Sequence, residues 1–183
     1  MLARVIVLVG GVAGSGKTTV GSLLASRLHW VFADADEFHS AASIAKMRSG
    51  VPLTDADRRP WLARIAAWMD ERIAAGESAV AGCSALKRSY RDELLAGRPA
   101  AWMVFLGITR QLAHARVAAR HGHFFTARLL DSQFTELEPP HDEQRVLVVD
   151  AASPPDQLAD MIIERLGLVT KTAPPARACR PDR

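Results

Sequence analysis

Five short apolar runs punctuate the chain: Val5–Val9, Val31–Ala33, Ala79–Gly82, Met103–Leu106 and Val146–Val149. Each reads as a strand apolar on both faces, the pattern of a parallel sheet covered by helices. Between them, apolar residues recur at helical spacing. The predicted helices run from about Lys17 to Leu28, Ala41 to Arg48, Ala56 to Ala75, Lys87 to Ala96, Thr109 to Arg120, Ala127 to Phe134 and Pro155 to Leu166. Strands alternating with helices imply an α/β fold built on a five-stranded parallel sheet. The longest helix carries its own punctuation. Thr54 and Asp57 have capping-box spacing, Pro60 is read as belonging to the first turn, and Gly76 ends the helix. Residues 120–140 contain Gly, Pro and the adjacent Phe124-Phe125, and are read as a mobile flap or lid.

Charge adds a boundary. The chain carries a formal +3, and residues 169–183 hold Lys171, Arg177, Arg180 and Arg183 against Asp182. Of the 23 basic and 20 acidic residues, 19 of each therefore lie before position 169. A neutral body is not the footprint of a nucleic-acid binder. The tail, with Pro174, Pro175 and Pro181, is predicted to be disordered, leaving a domain over residues 1–168. The two cysteines, Cys83 and Cys179, suggest neither a disulfide framework nor a metal site, and fit a reducing cytoplasm. No apolar run is long enough to span a membrane, so a cytoplasmic location without membrane partners is expected.

The first run leads directly into Gly11-Val12-Ala13-Gly14-Ser15-Gly16-Lys17-Thr18, followed by Thr19 at the start of a helix. This is a phosphate loop in strand–loop–helix context. Its glycines let successive backbone N–H groups turn inward onto phosphate oxygens, and the helix adds its positive end. In such a loop Lys17 reaches the β- and γ-phosphates of ATP, and the Thr18 hydroxyl takes Mg²⁺. No guanine-reading Asn/Thr-Lys-x-Asp and no Asp-x-x-Gly switch occurs, which argues against a GTPase. A small chain of this kind is most often a small-molecule kinase.

Asp34-Ala35-Asp36-Glu37-Phe38-His39 follows the second strand, at the end where parallel sheets bind ligands. Alternation in an extended segment is expected to put Asp34 and Asp36 on one side. Asp34 would then hold the Mg²⁺ shell, and Asp36 would take the proton of an acceptor hydroxyl.

That acidic block, the run Gly50-Val51-Pro52-Leu53-Thr54-Asp55-Ala56-Asp57-Arg58-Arg59-Pro60-Trp61-Leu62, and Cys83-Ser84-Ala85-Leu86-Lys87-Arg88-Ser89-Tyr90-Arg91-Asp92 resemble the bacterial gluconokinase family. So do Arg120-His121-Gly122-His123-Phe124-Phe125, Leu130-Asp131-Ser132-Gln133-Phe134 and Leu137-Glu138-Pro139-Pro140. The likeness covers about Val7 to Leu166. It implies a three-layer P-loop NTPase fold with a nucleoside-monophosphate-kinase type of sheet, a homodimer, and ATP-dependent phosphorylation of D-gluconate to 6-phospho-D-gluconate. It further implies an acceptor pocket made from Asp36, His39, Arg58 and the turn from Ser84 to Lys87. Arg58 and Lys87 would supply cations for a carboxylate, and the others hydrogen bonds for hydroxyls. Arg116 and Arg120 share a helix face; in related kinases such arginines stack on adenine and approach the transferring phosphate, respectively. Ala35, Ser40 and Ser43 stand where the family usually has Gly, Pro and Asn, and none of these changes removes a candidate catalytic group. Two other readings stay open: a kinase of another hydroxy acid such as shikimate, and a nucleotide-gated binding protein without turnover.

Overall fold

The computed structural model describes residues 4–119 and 127–168. Five parallel strands, β1 (Ile6–Gly10), β2 (Val31–Asp34), β3 (Ala79–Gly82), β4 (Ala101–Gly107) and β5 (Val146–Asp150), lie in the order β2-β3-β1-β4-β5. The helices are α1 (Lys17–Leu28), α2 (Ala41–Arg48), α3 (Asp55–Ala74), α4 (Arg88–Leu95), α5 (Arg110–Ala118), α6 (Ala127–Glu136) and α7 (Pro155–Arg165). The strands and helices read from the sequence all occur, with ends shifted by one or two residues. The residues expected to form the tail, 169–183, and the lid segment 120–126 lie outside the described residues.

Side-chain alternation along β1 divides the core. Ile6 and Leu8 face α3 and α4, packing with Trp61, Leu62, Ile65, Met69 and Leu94. Val7 and Val9 face α1 and α7, packing with Val20, Leu24, Leu158 and Ile162. Continuous apolar runs are thus explained for the inner strands, whose residues are buried on both faces. The outer strands differ: Val31 of β2 and Val148 of β5 are exposed, because an edge strand lacks a covering neighbour.

α3 begins with the expected capping box. The Thr54 hydroxyl accepts from the Asp57 N–H, and the Asp57 carboxylate accepts from the Thr54 N–H at 2.8 Å. Pro60 is not in the first turn, however. It is the sixth helical residue, one turn further in, and has no N–H to offer the Ala56 carbonyl. Gly76, at φ 75°, closes the helix as its N–H and that of Glu77 donate back to Ile73 and Arg72.

One buried ion pair anchors the turn after β3. Arg91 is fully buried; its Nε and Nη2 donate to the Glu143 carboxylate at 2.7 and 2.6 Å. Its Nη1 donates to the carbonyls of Ala85 and Leu86 at 3.1 and 2.9 Å. Ala85 sits at φ 37°, a conformation a side-chain-bearing residue keeps only when held. Hydrogen bonding to Arg91 keeps the Glu143 carboxyl below the usual carboxylate range. The stability it adds is present at neutral pH and is lost as pH falls through that depressed value. Arg91→Met strands a buried carboxylate and two carbonyls. It is expected to lower the unfolding free energy by about 3–5 kcal/mol, read from urea midpoints. A loss below about 1 kcal/mol would contradict the anchoring role.

Candidate functional site

The strands all end on the same side, and β1, flanked by β3 and β4, runs out into the phosphate loop at the point where the strand order reverses. Gly11 adopts φ 132°, and a Cβ there would meet the Leu106 carbonyl at 2.9 Å. Gly16, at φ 100°, is the N-cap of α1. It offers no side chain to the helix end, and no acidic residue occupies the first turn. The N–H groups of that turn, with the positive end of the helix behind them, are therefore left for an anion. The Lys17 ammonium folds back onto the Val12 carbonyl at 3.1 Å, and the Ser15 hydroxyl is buried without a hydrogen-bond partner among the described residues.

Above this loop opens a cavity of about 670 Å³. Gly14, Ser15, Gly16, Lys17, Thr18 and Thr19 form its floor, while Arg116, Ala151, Ser153 and Pro155 line another part of its wall. Arg116 is fixed by donating to the Ala151 carbonyl at 2.9 Å and the Gly14 carbonyl at 3.4 Å. Its guanidinium thus joins the loop after β5 to the phosphate loop. Arg120, expected to act with it, lies outside the described residues.

The Thr18 hydroxyl donates to Asp34 Oδ2 at 2.8 Å within this cavity. A neutral hydroxyl and one carboxylate, side by side, suit Mg²⁺, which takes few protein oxygens and completes its octahedron with phosphates and water. Among the described residues no cluster of three or more His, Cys, Asp or Glu offers a fuller cage.

The geometry after β2 departs from the sequence reading. Asp36 is not in an extended segment: Ala35–Phe38 form a 3-10 turn capped by Asp34, whose Oδ1 accepts from the Asp36 N–H at 3.1 Å. The indole N–H of Trp61 holds this turn by donating to the Ala35 carbonyl at 2.7 Å. Asp34 and Asp36 still border the same cavity, through the turn rather than through strand alternation.

A second, smaller cavity of about 60 Å³ adjoins the first, lined among others by Asp36, His39, Arg58, Trp61, Ser84 and Tyr90. His39 stacks on Trp61, with centroids 4.7 Å apart and planes 7° from parallel. Burial lowers its pKa despite nearby Asp36, so near neutral pH it is an uncharged hydrogen-bonding group, and its Nδ1 has no partner among the described residues. Arg58 pairs with Glu136 of α6 and donates to the Tyr90 hydroxyl at 3.3 Å. Burial works against its charge, and these hydrogen bonds outweigh that effect and raise its pKa.

Lys87 is not brought into either cavity. Its ammonium is 2.6 Å from Asp55 and lies over the Tyr90 ring, and the Tyr90 hydroxyl donates to the same Asp55 oxygen. Lys87 is the N-cap of α4, and the start of α3, 32 positions away in sequence, sets Asp55 opposite it. Cys83, in the same turn, is buried and its thiol is pushed up to about 12, which rules it out as a thiolate nucleophile.

Among the described residues, three border both cavities: Asp36, Ser84 and Gln133. Sequence reasoning assigned roles to the first two and none to Gln133. It lies on α6, within the stretch read as a flap. From Ala127 onward that stretch is packed on the body, with Leu129 and Leu130 buried and Leu130 joining Val12, Leu86 and Ala113.

A family model described as an AAA domain matches residues 6–140. The gluconokinase of Gluconobacter oxydans 621H is 44% identical over 153 residues, covering 84% of this chain and 86% of its own. Among solved structures, a sugar kinase from Janibacter sp. HTCC2649 superposes with a TM-score of 0.86 at 43% identity, covering 91% of this chain and 96% of that one. A gluconokinase from Sinorhizobium meliloti 1021 superposes with a TM-score of 0.79 at 39% identity, covering 90% and 94%.

Proposed function

This chain belongs to the gluconokinase family, and on that premise we propose that it moves the γ-phosphoryl group of ATP onto the C6 hydroxyl of D-gluconate, giving 6-phospho-D-gluconate and ADP. The observation carrying this reading is the junction of a nucleotide-sized cavity and a polar pocket at Asp36, Ser84 and Gln133. A phosphoryl group has to cross such a shared wall.

The residues divide the work by chemistry. The phosphate loop and Lys17 hold the β- and γ-phosphates, and Thr18 with Asp34 hold Mg²⁺, which neutralises phosphate charge when bound. Asp36 accepts the C6 hydroxyl proton as the new oxygen–phosphorus bond forms and the bond to the bridging oxygen of ADP breaks. Arg58 is the cation for the gluconate carboxylate, and His39 and Ser84 serve its hydroxyls. The smaller cavity is far below the roughly 300–1,000 Å³ of ligand pockets, so a six-carbon acid enters only if lining side chains move. Arg58, paired with Glu136, is one of those side chains.

Arg116 supports adenine from the other end of the large cavity. Stacking of this kind is made in ground and transition states alike, so its loss acts on binding. Arg116→Ala is expected to raise the KM for ATP by about tenfold, roughly 1.4 kcal/mol, with a smaller loss of kcat. Steady-state kinetics at saturating gluconate checks this, and a kcat loss exceeding the KM change would contradict it.

The function itself is tested by ADP release from MgATP across a panel of gluconate, related sugar acids, shikimate and nucleoside monophosphates. Gluconate is expected to give the highest kcat/KM. Preference for shikimate would assign another acceptor, and nucleotide binding without ADP release would leave a binding protein.

A further inference from the structure

Gln133 stands at the junction for a reason visible in its contacts. Its Oε1 accepts a hydrogen bond of 2.7 Å from the Ala13 N–H, a backbone donor of the phosphate loop 120 positions away in sequence. The residue is half-buried and lines both cavities beside Asp36 and Ser84. A carboxamide has one acceptor oxygen and an NH₂ donor. With the oxygen moored to the loop, the NH₂ is the end left to serve the space where donor and acceptor meet. Being uncharged, it adds no repulsion beside a triphosphate.

We propose that Gln133 orients the attacking hydroxyl of the acceptor. This rests on the kinase reading above and extends it to a residue that reading leaves without a role. The hydroxyl oxygen must present one lone pair to the γ-phosphorus while its proton goes to Asp36. A donor on its other lone pair fixes the remaining rotation. The bookkeeping of the step is unchanged: oxygen–phosphorus bond formed, bridging bond broken, proton on Asp36, no group retained by Gln133. Carboxamides orient nucleophiles in this way in other phosphoryl-transfer sites. The mooring gives the device its precision, because the amide that locates Gln133 belongs to the same loop that locates the phosphates.

Two substitutions separate orienting from mere anchoring. Gln133→Glu keeps the length and an acceptor for Ala13 N–H but lacks the NH₂. Gln133→Met lacks both without adding charge. Gluconate turnover by the unsubstituted enzyme, measured alongside, stands as the check on the kinase reading itself. Given that turnover, both variants are expected to lose about 100-fold in kcat and to need more gluconate for half-saturation. The ATP Kd of Gln133→Met, from equilibrium titration, is expected to stay within about threefold. Wild-type kcat and gluconate KM in Gln133→Glu would overturn the proposal, leaving Gln133 as an anchor only. So would an ATP Kd in Gln133→Met that rises in step with the lost turnover, since the residue would then serve the nucleotide. Absence of gluconate turnover in the unsubstituted enzyme would instead overturn the acceptor assignment, and this inference with it.

Discussion

Asp36→Asn is expected to lower kcat by about 10²–10⁴-fold, the range for removing a positioned general base. The asparagine has the same size, so the 3-10 turn, capped by Asp34 and held by Trp61, keeps its shape. Because the proposed mechanism assigns Asp36 to the acceptor hydroxyl and not to the triphosphate, the KM for ATP should change little. That pattern, a fall in kcat and kcat/KM together, marks an interaction made only in the transition state. Near-wild-type kcat would remove Asp36 from the mechanism.

Lys17→Ala is expected to act on both parameters. Lys17 opens α1 at the floor of the large cavity; in the proposed mechanism its charge meets the β- and γ-phosphates in the ground state and follows negative charge as the bond breaks. The expected result is a loss of about 10²–10³ in kcat, comparable to deleting a preorganised donor, with a raised KM for ATP. The fold should survive, since Lys17 is only half-buried at the cavity floor and belongs to none of the apolar core clusters. Retained ATP affinity by titration, together with unchanged turnover, would contradict its role.

The phosphate loop was legible in the sequence because its geometry is local. Gly11 to Thr18 forms one loop between one strand and one helix, and its spacing alone specifies the cradle. Ile6/Leu8 against Val7/Val9 likewise announces a strand buried on both faces. The edges were less legible: β2 and β5 carry apolar runs like the inner strands, yet Val31 and Val148 are exposed. Edge position is set by strand order, a long-range property. Asp36 was placed beside Asp34 for a reason that the structure replaces. Alternation in a strand was expected, and a capped 3-10 turn brings the same two carboxylates to one cavity. Asp34 two residues before an N–H that it caps was the available signal.

What the sequence concealed is partnership across distance. Arg58 and Lys87 were both read as cations for an acid. The structure gives Arg58 to the pocket with Glu136 at its back, and gives Lys87 to Asp55 outside it. Nothing in local spacing distinguishes them. Gln133 was quoted as part of a motif without a role, because its partner, the Ala13 N–H, is a backbone group that no side-chain pattern reports. Arg91 was likewise quoted only within a motif, and its burial against Glu143 emerges only once the turn after β3 and the segment after α6 are folded together.

The central claim is direct transfer across the wall shared by the two cavities. Phosphorus NMR of the reaction of MgATP with D-gluconate tests it most directly. The account predicts that the γ-phosphorus signal of ATP disappears one-for-one into a phosphomonoester coupled to the C6 methylene protons of gluconate, with ADP formed in equal amount. Inorganic phosphate appearing in place of the ester, or a phosphate ester at another carbon, would contradict it.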